Sequence, residues 1–144
     1  MTEIAFHFNA PDKLAYACRL LRKAVGRGAP VMVTGDAGSL RALDEMLWTF
    51  SALDFLPHCQ ASAGPSLRAA SPIVLGDDVS ALPRAETLLN LGSEVPAGFE
   101  RFERLIELVG ADDADRGIGR RRWQHYAARG YAIISHDVAS TKPN

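Results

Sequence analysis

Cysteine is scarce in this chain, and so is any imbalance of charge. Cys18 and Cys59 are too few for a disulfide framework and stand at no metal-ligand spacing, so the sequence reads as a reduced, cytoplasmic protein without a structural metal. Sixteen basic residues against seventeen acidic ones exclude the large positive excess expected of a general nucleic-acid binder. No apolar run approaches the roughly 18 residues of a membrane span, and MTEIAFHFNA has neither the basic start nor the apolar stretch of a secretory signal. Catalytic constellations are missing as well. His7, His58, His125 and His136 are scattered singly, no Gly-x-Ser-x-Gly elbow occurs, and the adjacent Asp44 and Glu45 point about 100° apart on a helix. No activity, cofactor or metal is expected.

What is present is the pattern of one α/β domain. A chain of 144 residues buries about two thirds of its unfolded surface and stands without staples. Ile4, Phe6 and Phe8 alternate as a strand; Asn9 reads as an N-cap and Pro11 as a first-turn residue for a helix to about Arg27. Pro30 to Thr34 fits a buried strand, and Ser39 is placed to cap a helix to about Phe50. The polar stretch Gln60 to Arg68 separates this half from strands at Pro72 to Leu75 and Thr87 to Leu91. Phe99, Phe102, Leu105, Ile106 and Val109 recur at helical spacing and predict a helix closed by Gly110. A last helix opens at Asp112 or Asp113 and closes at Gly130, and Tyr131 to Ser135 gives a final strand. This order predicts a single-domain, three-layer α/β fold of Rossmann-like type over residues 1–137, with a mostly parallel sheet flanked by helices and a polar tail at 138–144.

Two surfaces stand out. In LDEMLWTFSALDFLPH, Leu43, Met46, Leu47 and Phe50 form a buried helical stripe from which Trp48 departs, and Phe55 follows in a loop. Rings off the core pattern either cap the core or form a protein-binding hot spot. Charge marks the second surface: Ser93 to Asp115 holds seven acids and two arginines, whereas Arg116 to Arg129 holds five arginines and no acid. Arg116, Arg120 and Trp123 share one helix face, with Gln124 one position further round, which offers guanidinium forks to carboxylates and an indole wall to an apolar side chain. The competing reading is a solvated basic face paired with the acidic helix before it. Gly117 and Gly119 either admit close approach of a ligand or mean that the helix starts later. TGDAGS after a strand raises an alternative, a nucleotide-binding or enzymatic domain with its ligand at Gly35 to Ser39. That turn lacks the Gly-Lys-Ser/Thr ending and the third glycine, and Asp36 stands where a phosphate would sit. A third alternative, stacking of single-stranded nucleic acid on Trp123, meets the near-neutral net charge.

LDEMLW at Leu43 to Trp48, followed by FLPH at Phe55 to His58, resembles the chi subunit of the bacterial replicative DNA polymerase holoenzyme. Weaker likeness runs through SPIVLG (Ser71 to Gly76), TLLNLGSEVPAGFERFERLIELV (Thr87 to Val109) and RRRWQHYAARGYAI (Arg120 to Ile133). The resemblance implies a non-catalytic clamp-loader accessory protein, working at the replisome on the nucleoid. It places Trp48 and Phe55 where the family holds the psi subunit. It places Arg116, Arg120, Trp123 and Gln124 where the family receives the acidic, phenylalanine-ended C-terminal tail of single-stranded DNA-binding protein. Here Trp123 replaces a tyrosine and Gln124 a lysine, which keeps an aromatic wall and removes one charge. Specific binding of nucleic acid and contact with a membrane are not expected.

Overall fold

The structure, a computed structural model, describes residues 1–49, 56–83 and 85–140. Seven strands form one sheet in the order β3-β4-β2-β5-β6-β1-β7, every neighbouring pair parallel. In chain order the elements are β1 (Glu3–Ala10), α1 (Lys13–Gly26), β2 (Val31–Thr34), α2 (Ala37–Thr49), β3 (His58–Gln60), α3 (Pro65–Ala70), β4 (Ile73–Leu75), β5 (Thr87–Asn90), β6 (Arg104–Gly110), α4 (Asp113–Ala128) and β7 (Ile133–Asp137). The three-layer α/β architecture read from the sequence is therefore the one found, with a wholly parallel sheet.

Strand alternation sorts the core into two halves. Val31, Val33, Ile73, Leu75, Leu89, Ile106 and Leu108 face α1 and α2, where they meet Ala17, Cys18, Leu21, Leu40, Leu43 and Leu47. Ile4, Phe6, Met32, Val74, Leu88, Leu105 and Val109 face the other way, toward Tyr126 of α4 and toward Phe99 and Phe102. Both faces are covered, so the inner strands are mostly apolar; β2 and β4 are buried at every position.

The helix expected over Phe99 to Val109 is not there. Phe99–Arg101 is a single 3-10 turn, and β6 follows as a strand between β5 and β1. Leu105, Ile106 and Val109 do keep helical spacing. They are buried because a central parallel strand is covered on both faces, which leaves no polar alternation to read. The polar stretch from Gln60 likewise hides structure: β3 and the short α3, with Pro65 in its first turn, lie where a connection was expected. Caps shift too. Asp12, not Asn9, caps α1 by accepting from the Ala15 N–H at 3.1 Å, while Asn9 takes a left-handed φ of 63° where β1 slips register against β6. Asp36, not Ser39, caps α2: its carboxylate accepts from the Ser39 N–H at 3.0 Å and the Ser39 hydroxyl at 2.8 Å. Val138–Ser140 forms a 3-10 turn after β7. Among the described residues no helix is long and apolar enough to cross a membrane.

Candidate functional site

The arginine-rich segment becomes α4, which starts where its charge pattern says it should. Asp112 accepts from the Asp115 N–H at 2.8 Å as N-cap, and Asp113 and Asp115 place two further carboxylates against the positive end of the helix dipole. The helix thus begins before Gly117, and that glycine does not mark a later start. Gly119 has a packing reason instead. A Cβ there would come within 2.9 Å of Val109 Cγ2, so its absence lets α4 lie close on β6. Gly119→Ala should push the helix outward and lower stability by about 1–3 kcal/mol, read from the urea midpoint.

With α4 seated this way, one flank opens into a groove of about 280 Å³. Arg116, Gly119, Arg120 and Trp123 form its helical wall; Phe6 and Phe8 of β1, Val109 of β6 and Ser135 of the edge strand β7 form the rest. The Trp123 ring tilts 49° against Phe6 at a centroid distance of 5.1 Å and remains 38% exposed, an aromatic wall facing solvent. Arg116 lies 3.6 Å from Asp113, an exposed i,i+3 pair worth little in water. Arg120 is exposed and makes no ion pair among the described residues. Three of the four residues proposed for this surface therefore line one groove. Gln124 is exposed but does not line it.

The opposite flank of α4 explains why the helix presents that face. Arg122 is 3% exposed; its Nε donates to Glu107 Oε1 at 3.0 Å and its Nη1 to the Ser93 carbonyl at 3.1 Å. The Tyr126 hydroxyl donates to Glu107 Oε2, and Asn90 Nδ2 donates to Glu107 Oε1 at 2.8 Å. Burial pushes the Glu107 carboxyl up, opposed by Arg122 and by these donors, while burial and the adjacent carboxylate push the Tyr126 hydroxyl up and keep it a donor. One arginine of the run thus pairs with an acid of the preceding segment, on a strand rather than a helix, and is structural.

On the second surface Trp48 is 56% exposed at the end of α2 and packs on the His58 ring at 4.8 Å. His58 Nε2 lies 3.1 Å from Asp44 Oδ1, and its Nδ1 is 2.7 Å from the Leu56 carbonyl. Trp48 departs from the stripe of Leu43 and Leu47, which are buried, as its spacing predicts. Phe50 and Phe55 lie outside the described residues.

At the Gly35 to Ser39 turn, the hydrogen bonds from Ser39 hold the Asp36 carboxyl below its ordinary range. A fixed anion at the helix N-terminus disfavours a phosphate there. Among the described residues no cluster of histidine, cysteine or carboxylate side chains is arranged to hold a metal ion.

The family model for the DNA polymerase III chi subunit, HolC, matches residues 1–134. The chain belongs to the DNA polymerase III chi subunit family. It is 32% identical over 141 residues to DNA polymerase III subunit chi of Pseudomonas aeruginosa, covering 94% of this chain and 96% of that one. The chi subunit of Haemophilus influenzae is 27% identical with 85% of each chain covered, and that of Escherichia coli 24% identical with 81% and 79% covered. Among solved structures, the C-terminal domain of the DEAD-box protein Dbp5 superposes with a TM-score of 0.57 over 94% of this chain and 90% of that chain. At 10% identity that likeness concerns the fold alone. As a chi subunit, this protein is an accessory subunit of DNA replication.

Sequence reasoning missed the sheet side of the groove and the buried network behind it. Phe6, Phe8 and Ser135 come from strands flanking one another only in the folded sheet, which spacing along the chain does not report. Glu107 did leave a signal: a lone acid inside the apolar run LIELVG, which a period of two would have placed on the α4 face with Leu105 and Val109.

Proposed function

We propose that this chi subunit is a non-catalytic adaptor that links the clamp loader, through psi, to the acidic C-terminal tail of single-stranded DNA-binding protein. The observation that carries this reading is the groove in which exposed Arg120, free of any described ion pair, stands beside the Trp123 and Phe6 rings. A chain end with a phenylalanine ring and a free carboxylate needs an apolar slot and an adjacent guanidinium, and the acids before it need further basic charge. Arg116, on the same groove wall, supplies that charge. Affinity for a single tail is modest and falls with salt, while burial of the ring supplies the salt-independent part. Several tails on one partner raise the effective affinity. No step requires the adaptor itself to contact DNA.

The test is capture of single-stranded DNA-binding protein by the full chain, with and without its last few residues. Retention that survives removal of the tail refutes the assignment. Thermal shift separates the nucleotide alternative, since a ligand selective for the native state raises the melting point. Stabilisation by a nucleotide and not by an acidic, phenylalanine-ended peptide would favour a ligand at Gly35 to Ser39.

For psi, the supporting feature is the exposed Trp48 ring, fixed on one side by His58. That ring supplies rigid aromatic area of the kind that anchors interfaces, and the family resemblance adds Phe55, which lies outside the described residues. Trp48→Ala should leave the urea midpoint and tail-peptide affinity unchanged while weakening psi binding by about 2 kcal/mol or more in calorimetry.

A further inference from the structure

β7 is an edge strand, and among the described residues no strand pairs with its outer side. The register says which backbone groups that side presents. Ile4 pairs with Ile133 and Phe6 with Ser135, and the Ile4 N–H donates to the Ala132 carbonyl at 3.0 Å. A parallel ladder set this way takes the backbone groups of Ala132, Ile134 and His136. Those of Ile133 and Ser135 point off the sheet.

Sheet edges are commonly blunted by a lysine, a proline or a bulge. β7 has none of these: IISHD keeps continuous register with β1 from Ile133 to Asp137. Ile134, Ser135 and His136 are all exposed, and Ile134 shows 54% of its surface on the face away from α4. Ser135 joins this edge to the arginine groove. Its side chain lies on the α4 face and lines the groove with Phe6 and Trp123, while its N–H and C=O open onto the edge.

We propose that an acidic, phenylalanine-ended chain bound in the groove also adds to the sheet as a short eighth strand on β7, a mode that rests on the tail-binding reading above. Strand addition supplies main-chain hydrogen bonds where the groove supplies charge and ring contacts. Side chains of the added strand alternate, so one enters the groove beside Trp123 and its neighbour covers Ile134 on the opposite face. The orientation follows from α4. That helix begins just past the carboxyl end of β6 and returns toward the start of β7, which puts Arg116 nearer the end of β7 and Arg120 nearer its start. A chain with its terminal carboxylate on Arg120 and its acids toward Arg116 therefore runs antiparallel to β7. Asp137 sets the limit of pairing. Its carboxylate accepts from Asn9 Nδ2 and the Ala139 N–H and repels incoming acids, which confines the added ladder to Ile133 and Ser135.

The test is amide hydrogen exchange and calorimetry on the full chain with a short acidic peptide ending in phenylalanine. At saturation, protection should rise at the Ile133 and Ser135 amides far more than at Ile134 and His136, which the β1 ladder already holds. Ser135→Pro deletes an N–H that β1 does not use and should lower affinity about five- to tenfold, whereas Ser135→Ala keeps the backbone and should bind like the parent. A second measurement leaves the protein intact, in case the proline variant does not fold. N-methylation moved along the peptide should weaken binding at alternate residues only, because every second N–H of an added strand faces β7. Suppose Arg120→Ala weakens binding, yet every N-methylated peptide binds like the parent peptide and Ser135 gains no protection. The chain end then lies in the groove without joining the sheet, and strand addition alone is overturned. A parent protein that does not bind the peptide, or an Arg120→Ala variant that binds it equally well, overturns the tail-binding reading itself.

Discussion

Arg122→Met should destabilise the domain by about 3–5 kcal/mol, although the side chain belongs to a run of arginines that reads as surface. The reason is what remains. Glu107, fully buried in the middle of the sheet, would keep its carboxylate without the counter-charge at 3.0 Å, held by the Tyr126 hydroxyl and the Asn90 amide alone. Ser93 would also lose the donor to its carbonyl. Removing both charges is a different experiment. In Glu107→Leu/Arg122→Met no isolated ion is left behind, and apolar side chains of similar volume can replace a buried pair at little net cost. The double variant should therefore recover much of the lost stability, the deficit reflecting the unsatisfied Tyr126 hydroxyl and Asn90 amide. Urea midpoints of the parent, both single variants and the double variant close the cycle. Coupling near zero would mean that Arg122 and Glu107 are solvated independently and that α4 is held by packing alone.

That network bears on function because it fixes the rotation of α4. At 3.6 residues per turn, aiming Arg122 and Tyr126 at Glu107 necessarily turns Arg116, Arg120 and Trp123 to the other flank. Arg122→Met alone should accordingly disturb the groove as well as the fold.

Legibility in the sequence followed the physical signal available. The helices were readable because α1 and α2 bury one stripe each: Ala17, Cys18 and Leu21 in one, Leu40, Leu43 and Leu47 in the other. The face of α4 that carries Arg116, Arg120 and Trp123 was readable for the same periodic reason. β6 was misread because both of its faces are buried, so Leu105, Ile106 and Val109 left no alternation to separate strand from helix. β3 and α3 were missed because three residues and six residues carry too little pattern to stand out from a connection. The caps failed for a subtler reason. Asn9 and Ser39 are good capping types, but Asp12 and Asp36 are equally good and stand three residues either way, and only the backbone path decides between them. The groove itself was half legible. Its charged wall lies on one helix, while Phe6, Val109 and Ser135 are joined to that wall by a sheet order that places β1 between β6 and β7.

Arg120→Ala should weaken binding of an acidic, phenylalanine-ended peptide by about 1.5–3 kcal/mol, or about 10- to 150-fold, without moving the urea midpoint. Geometry separates this residue from its neighbours. Arg122 is sealed behind the helix, Arg121 lines the opposite flank with Ser93 and His125, and Arg116 shares its charge with Asp113. Arg120 alone combines a place on the groove, exposure and freedom from a described ion pair, so a carboxylate there meets a fork that gives up nothing to receive it. The same logic gives the opposite sign at Asp113. Asp113→Asn releases Arg116 and removes an anion near the groove, so peptide affinity should rise modestly rather than fall. Calorimetry across a salt series decides both. The loss in Arg120→Ala should shrink as salt rises, because the missing term is electrostatic, while the part due to ring burial against Phe6 and Trp123 should persist. A loss independent of salt would point to the aliphatic stem of Arg120 acting as a wall of the slot, and the carboxylate contact would have to be reassigned to Arg116.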